Sequence, residues 1–288
     1  VTVAASKRRW ILVVDEALHQ VPFDALRPPG GGYVSDTVTV SHAPSATALA
    51  MLRELPPGAP DRLPLLAAGG VKREGAVEAK QATRGLFDLG GSNVPDLPAT
   101  AREVREVARR MGSASVVLEG DAATEHAFRE QPLERFQSIH LAVHGFTDVR
   151  EAERSALVFG FDKDRAHDGL LQMREIAGLT LDADLVTLSA CDTGTGPLRG
   201  QEGTANLARA FLVAGARNVA AALWEVDDQF ASVLMRQFYD HLRQGHDVSE
   251  ALRMAKNDLR RRFGANATAF FWGSMIVTGD GRTKLTER

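Results

Sequence analysis

A chain of 288 residues, 44% hydrophobic and 25% charged, can bury a core of ordinary size as one large domain or two modest ones. A net charge of −3 argues against nucleic acid or an anionic membrane surface as the principal partner. The single cysteine cannot form an internal disulfide and fits a reducing cytoplasm most simply, and no apolar stretch approaches the ~18–20 residues that span a bilayer.

The start, Val1 to Arg9, has neither an initiator methionine nor an apolar signal core. The chain is therefore expected to be a domain cut from a longer protein, or one whose start has been removed. Trp10 to Asp15 reads as a strand, Pro28 to Gly32 as a loop, and Val38 to His42 as an extended, β-branched run. Ser45 to Thr47 reads as an N-cap region for a helix through Ala48 to Leu55, which the proline-rich stretch 56–64 ends. Leu65 to Val71 reads as a strand with a turn, and Lys72 to Pro98, without a period, as a long loop or boundary.

From Leu97 strand and helix patterns alternate. Thr100 and Glu103 have capping-box spacing for a helix over Ala101 to Met111. A strand at Ser115 to Leu118, a helix at Thr124 to Arg129, a strand ending at His144 and another at Ala156 to Phe159 follow. A short apolar run, Asp184 to Leu188, leads into Ser189-Ala190-Cys191-Asp192-Thr193-Gly194-Thr195-Gly196. Then come a helix at Gly203 to Ala214, a strand at Asn218 to Leu223, helices near 229–244 and 249–263, and a last strand expected over Phe270 to Val277. Strands alternating with helices predict an α/β fold: a mostly parallel central sheet with helices on both faces.

Cys191 and His144, forty-seven residues apart, each leave the C-terminal end of a predicted buried strand. Sites in open α/β sheets collect beyond those ends. A thiolate is the reactive form of cysteine, and a histidine titrating near neutrality is its usual base. Free cysteines are commonly small buried hydrophobes. Two features move Cys191 away from that: Gly194, Gly196 and Gly200 let backbone approach a substrate, and a histidine followed by glycine stands in the equivalent place on another strand. Gly145 leaves room for its backbone N–H to join that of Cys191 in an oxyanion hole. His140, earlier in the same run, shares the sheet face of His144 if the strand is regular, and is expected to be structural, like His19 and His42.

At these residues the sequence resembles the CHAT family of caspase-like peptidases related to separase. The resemblance is carried by His144-Gly145, Leu188-Ser189-Ala190-Cys191-Asp192-Thr193-Gly194, Gly200-Gln201-Glu202-Gly203, Arg209-Ala210-Phe211-Leu212 with Ala214-Gly215-Ala216, Leu223-Trp224-Glu225-Val226-Asp227-Asp228 and Phe271-Trp272-Gly273. Upstream, Leu18 to Leu26 and His42 to Ser45 resemble its N-terminal portion, so coverage runs from about Trp10 to Asp280. The resemblance implies a caspase-type fold and a dyad in which Cys191 is the nucleophile and His144 the general base and acid, with the amides of Gly145 and Cys191 binding the oxyanion. It also implies that Asp228, with Asp227 beside it, lines a pocket for a basic residue preceding the scissile bond. Asp192 competes for that role, and Trp224 can form a pocket wall. The bland alternatives are that Asp228 caps the helix from Gln229 and Asp192 braces its loop.

The corresponding division is 1–95 as an N-terminal, pseudo-caspase-like layer, 96–280 as the catalytic part and 281–288 as a polar tail. No cofactor is implied. No paired Cys/His ligands suggest zinc, and Gly194 to Gly200 lacks the Lys-Ser/Thr of a phosphate loop. The expected substrate is a polypeptide, with gasdermin-like proteins among family substrates, under an activating sensor domain or partner outside this chain. A role in bacterial defence follows from the resemblance alone. Thr193 to Gly203 is the expected moving element, giving low basal activity. A catalytically silent module kept for docking or oligomerisation is the competing reading. A small-ester hydrolase lacks its Gly-x-Ser-x-Gly elbow.

Overall fold

The computed structural model describes residues 7–15, 18–19, 21–71, 98–146, 152–160, 167–189, 201–224 and 226–285, with the backbone alone at 98, 146, 152, 201–206 and 228. The elements run β1 (Arg9–Leu12), β2 (Thr39–His42), α1 (Ala46–Glu54), β3 (Leu66–Gly69), α2 (Pro98–Met111), β4 (Val116–Glu119), α3 (Glu125–Arg129), β5 (Ser138–Ala142), β6 (His144–Phe146), β7 (Ala156–Val158) and β8 (Leu170–Gln172). They continue with α4 (Met173–Ile176), β9 (Leu185–Leu188), α5 (Gln201–Val213), β10 (Asn218–Ala222), α6 (Asp228–Arg243), α7 (Val248–Phe263), α8 (Ala269–Trp272) and β11 (Met275–Gly279).

Eight strands form one sheet in the order β1-β2-β11-β10-β9-β5-β3-β4, and β6-β7-β8 form a separate antiparallel sheet. The five-strand stretch from β10 to β4 is parallel throughout. Its strands are covered on both faces, so they read as continuous apolar runs rather than alternating ones. One face sets Leu66, Ile139, Leu141, Val186, Leu188 and Ala221 against α5 (Leu207, Phe211), α3 (Phe128) and the small sheet (Leu157, Leu171). The other sets Leu65, Ala67, Ala142, Leu185 and Ala220 against α2 (Val104, Val107), α6 (Leu234, Phe238, Tyr239) and α7 (Leu252, Leu259). This is the expected α/β layering. The N-terminal strands β1, β2 and β3 hydrogen-bond into the same large sheet.

Local chemistry fixes the helix ends. The Ser45 and Thr124 hydroxyls accept the backbone N–H groups of Ala48 and Ala127, at 2.9 and 3.1 Å, as N-caps of α1 and α3. Asp247 accepts from Glu250 N–H at 2.9 Å at the start of α7. The expected Thr100–Glu103 capping box does not form the start of α2, because the helix begins at Pro98, a residue suited to a first helical position. Thr100 lies inside it, and its hydroxyl accepts the N–H of Gly70 at 2.8 Å.

Two further expectations change. Phe270 to Val277 is not one strand: 269–272 turn as a helix, and the strand begins at Met275. Each step of about 100° around a helix turns consecutive side chains apart. Phe270 accordingly stacks on Trp224, Phe271 on Phe230, and Trp272 meets Tyr33 edge-on. The Arg260-Arg261-Arg262 run at the end of α7, which by sequence alone reads as a solvated, dipole-favourable face, leaves solvent at Arg260, whose guanidinium lies 4.3 Å over the Tyr33 ring and pairs with Asp36. The predicted loop 72–97 lies outside the described residues. Among the described residues, no helix is long and apolar enough to cross a membrane.

Candidate active site

The site builds from the register of three adjacent parallel strands. Leu141 of β5 pairs with Leu188 of β9, and Leu188 pairs with Ala221 of β10. The β5–β9 pairing extends one residue further, where Ser189 N–H donates to the Leu141 carbonyl at 3.0 Å. His144, Cys191 and Trp224 each stand three residues beyond one of these registered positions. The sequence separation of the three residues is therefore cancelled by strand pairing, to the level at which each strand leaves the sheet.

After Ala142 the chain leaves the large sheet. Val143 is fully buried, and His144 opens β6, with His144 paired to Val158 and Gly145 to Leu157. His144 is itself 4% exposed. The imidazole thus projects from backbone held in a second sheet. The change of sheet also breaks the alternation between His140 and His144, so the shared face expected for a regular strand does not apply.

Cys191 and Asp192 lie outside the described residues. Trp224 follows β10, donates its indole N–H to the Phe270 carbonyl at 2.9 Å, and stacks on the Phe270 ring at 5.8 Å. Asp227, not Asp228, is the N-cap of α6: its Oδ1 accepts the N–H of Gln229 at 2.9 Å, and Asp228 is the first helical residue. The cap reading offered for Asp228 therefore moves one residue back. Among the described residues, no group of three or more His, Cys, Asp and Glu side chains could hold a metal ion.

Sequence reasoning missed a buried polar cluster under β5 and β9. His140 and Thr187 are registered partners across these strands, on the face covered by α2 and α6. His140 Nε2 lies 2.9 Å from Glu103 Oε1, and Nδ1 lies 3.0 Å from the Tyr239 hydroxyl. Tyr239 Oη also donates to Thr187 Oγ1 at 3.0 Å. The Ser189 hydroxyl donates to Glu103 Oε1. Burial pushes the Tyr239 phenol well above its usual range, the Glu103 charge adds to the shift, and the Thr187 hydrogen bond opposes it. The available signal was Glu103 beside Val104 and Val107 on the apolar face of α2, with His140 and Thr187 interrupting two apolar runs.

The model of the CHAT domain family matches residues 3–280. The chain belongs to the CHAT domain family. No curated protein sequence matches it. Among solved structures, separase in the Saccharomyces cerevisiae separase–securin complex superposes with a TM-score of 0.53 at 14% identity, covering 93% of this chain and 15% of that one. The Arg-specific cysteine proteinase gingipain R superposes with a TM-score of 0.53 at 9% identity, covering 86% of this chain and 56% of that one. The complex of Porphyromonas gingivalis RgpB pro- and mature domains gives 0.55 at 10%, with the same coverage. The CHAT chain thus spans a small part of separase and just over half of gingipain, and at these identities it shares with them the caspase-like α/β fold.

Proposed function

We propose that this CHAT domain is a cysteine endopeptidase in which Cys191 is the nucleophile and His144 the general base and acid. The carrying observation is the common offset: His144 and Cys191 each follow by three residues the registered pair Leu141–Leu188 at the C-terminal edge of adjacent parallel strands. Family membership and the shared fold support it. His144 accepts the thiol proton, the thiolate attacks the scissile carbonyl, and the amides of Gly145 and Cys191 hold the oxyanion. Collapse of the tetrahedral adduct breaks the C–N bond, His144 hands its proton to the leaving amine, and a thioester remains. Water, deprotonated by His144, then attacks the thioester and releases the acid and the thiol.

A basic residue preceding the cleaved bond is the proposed preference, with Asp228, Asp227 and Asp192 as acids and Trp224 as a wall. The physiological substrate is a specific polypeptide, for which a gasdermin-like protein is the family's model, and a sensor domain or partner outside this chain switches the site on in a bacterial defence role. The test is cleavage of a fluorogenic peptide library varied at the residue before the scissile bond, with the full chain, Cys191→Ala and His144→Ala. Both variants should lose about a hundredfold or more of the turnover, as loss of nucleophile or proton transfer requires. Equal cleavage by all three proteins would remove the reading.

A further inference from the structure

Four polar side chains from α2, β5, β9 and α6 (Glu103, His140, Thr187 and Tyr239) and that of Ser189, just past β9, converge beneath the strand ends that lead to the site. His140, Thr187 and Tyr239 are fully buried, and Glu103 is 8% exposed. Ser189 is the member nearest solvent and the last residue before Ala190 and Cys191. We propose that Glu103 is a positioning residue for the nucleophile, acting through the Ser189 hydroxyl to fix where the chain departs from β9. The proposal rests on the reading of Cys191 as the nucleophile.

The hydrogen bonds give Ser189 two anchors. Its N–H is held by the Leu141 carbonyl and its hydroxyl by the Glu103 carboxylate, so backbone and side chain are both fixed two residues before Cys191. A hydrogen bond to a carboxylate in a water-poor setting is among the stronger ones available. The rest of the cluster holds the carboxylate in place. The Tyr239 hydroxyl bridges His140 and Thr187 with one proton. His140 Nε2 lies 2.9 Å from Glu103 Oε1, the same oxygen that accepts from Ser189, so the imidazole holds the carboxylate aimed at Ser189. Packing alone would be served as well by apolar side chains, because desolvating such a group is costly. What an apolar replacement cannot supply is the anchor on Ser189.

The chain has one cysteine, so thiol alkylation reports on Cys191 alone. The experiment measures the iodoacetamide rate from pH 5 to 10 on the full chain and on Ser189→Ala, Ser189→Thr, Glu103→Gln and His144→Ala, with a thermal unfolding midpoint for each. Wild type should show an apparent thiol pKa below the ordinary value of about 8.5. Ser189→Ala should slow alkylation at pH 7 about tenfold, the loss of one hydrogen bond to a charged group, with Ser189→Thr returning to within about threefold of wild type. Glu103→Gln should shift the profile in the same direction. Should Glu103→Gln not fold, Ser189→Ala with its threonine rescue decides. Profiles of Ser189→Ala and Glu103→Gln that overlay wild type, whether or not the unfolding midpoint falls, would overturn the proposal. A profile unmoved by His144→Ala would instead overturn the dyad reading beneath it, so the two failures are distinguishable.

Discussion

His42, at the end of β2, is 5% exposed, with the Phe23 ring 6.1 Å away. Burial drives its pKa down to about 4; the positive charges of Lys256 and His19 add to the shift, while the Asp24 carboxylate opposes it. The folded protein therefore refuses a proton that the unfolded chain accepts near 6.5. The sign follows: this contribution to stability is complete above pH 6.5, is lost as pH falls from 6.5 towards 4, and is flat below the folded pKa. The linkage integral over those two values gives a loss of about 2 kcal/mol at pH 5 and about 3 kcal/mol at pH 4, relative to neutral pH. The perturbation is His42→Gln, which is neutral at every pH. Urea unfolding of wild type and variant at pH 7.5, 6.0, 5.0 and 4.0 provides the measurement, and the difference between the two proteins cancels groups that titrate in both. Wild-type stability should fall more steeply by the stated amounts. Parallel pH dependences would refute the assignment of a buried, neutral imidazole at this position.

Asp24 pairs with Lys256, whose side chain is fully buried in α7. Asp24→Ala strands the ammonium and should cost about 3–5 kcal/mol in urea unfolding at pH 7, with Lys256→Met costing clearly less; the reverse order would remove the argument. Asp227→Asn keeps the cap of α6 and should leave stability within a few tenths of a kcal/mol, whereas Asp227→Ala should lose about 1 kcal/mol. A drop in cleavage after basic residues in Asp227→Asn, at unchanged stability, would assign the carboxylate a pocket role as well. Gly215, past the end of α5, has φ +116°, and a Cβ there would stand 2.2 Å from the Leu181 carbonyl. Gly245 has φ +81° with open space around it. Alanine at Gly245 should therefore cost only the backbone preference, about 1–2 kcal/mol, and alanine at Gly215 measurably more; equal thermal shifts would show that the Leu181 contact yields freely.

What was legible in the sequence is what depends on local chemistry. Ser45 caps the helix its spacing predicts, Thr124 caps a helix that the sequence pattern starts at Thr124 itself, and the runs at Leu65, Ile139, Leu185 and Asn218 become parallel strands because β-branched and apolar residues buried on both faces leave few alternatives. The missed features depend on partners distant in the chain. Leu170–Gln172 is too short to show a period, and it becomes a strand only because β7 offers it an antiparallel edge. Glu103 matches a capping box three residues after Thr100, but its carboxylate is claimed by His140, 37 residues away, and by Ser189, 86 residues away. Phe270 to Trp272 has the composition of a strand, and three separate aromatic partners turn it into a helix. At the candidate site, the apolar strands that lead towards His144 and Cys191 were readable, whereas the switch of His144 into a second sheet was not, since a single residue, Val143, makes it.

That switch distinguishes the two halves of the proposed dyad. Parallel strands about 4.8 Å apart bring the ends of β5 and β9 together, but three extended residues span up to about 10 Å, so a common register alone leaves the distance between imidazole and thiol open. On the histidine side the slack is removed at once: β6 starts at His144 itself, and pairing to β7 and near-complete burial fix the backbone that carries the ring. Moving His144 would mean giving up the β6–β7 pairing, in which it faces Val158. On the cysteine side the described constraint ends at Ser189, two residues short, with one backbone and one side-chain hydrogen bond. In the proposed dyad the backbone of the histidine is therefore fixed at the residue itself, and the anchoring of Ser189 is the last described restraint on the strand that leads to the cysteine.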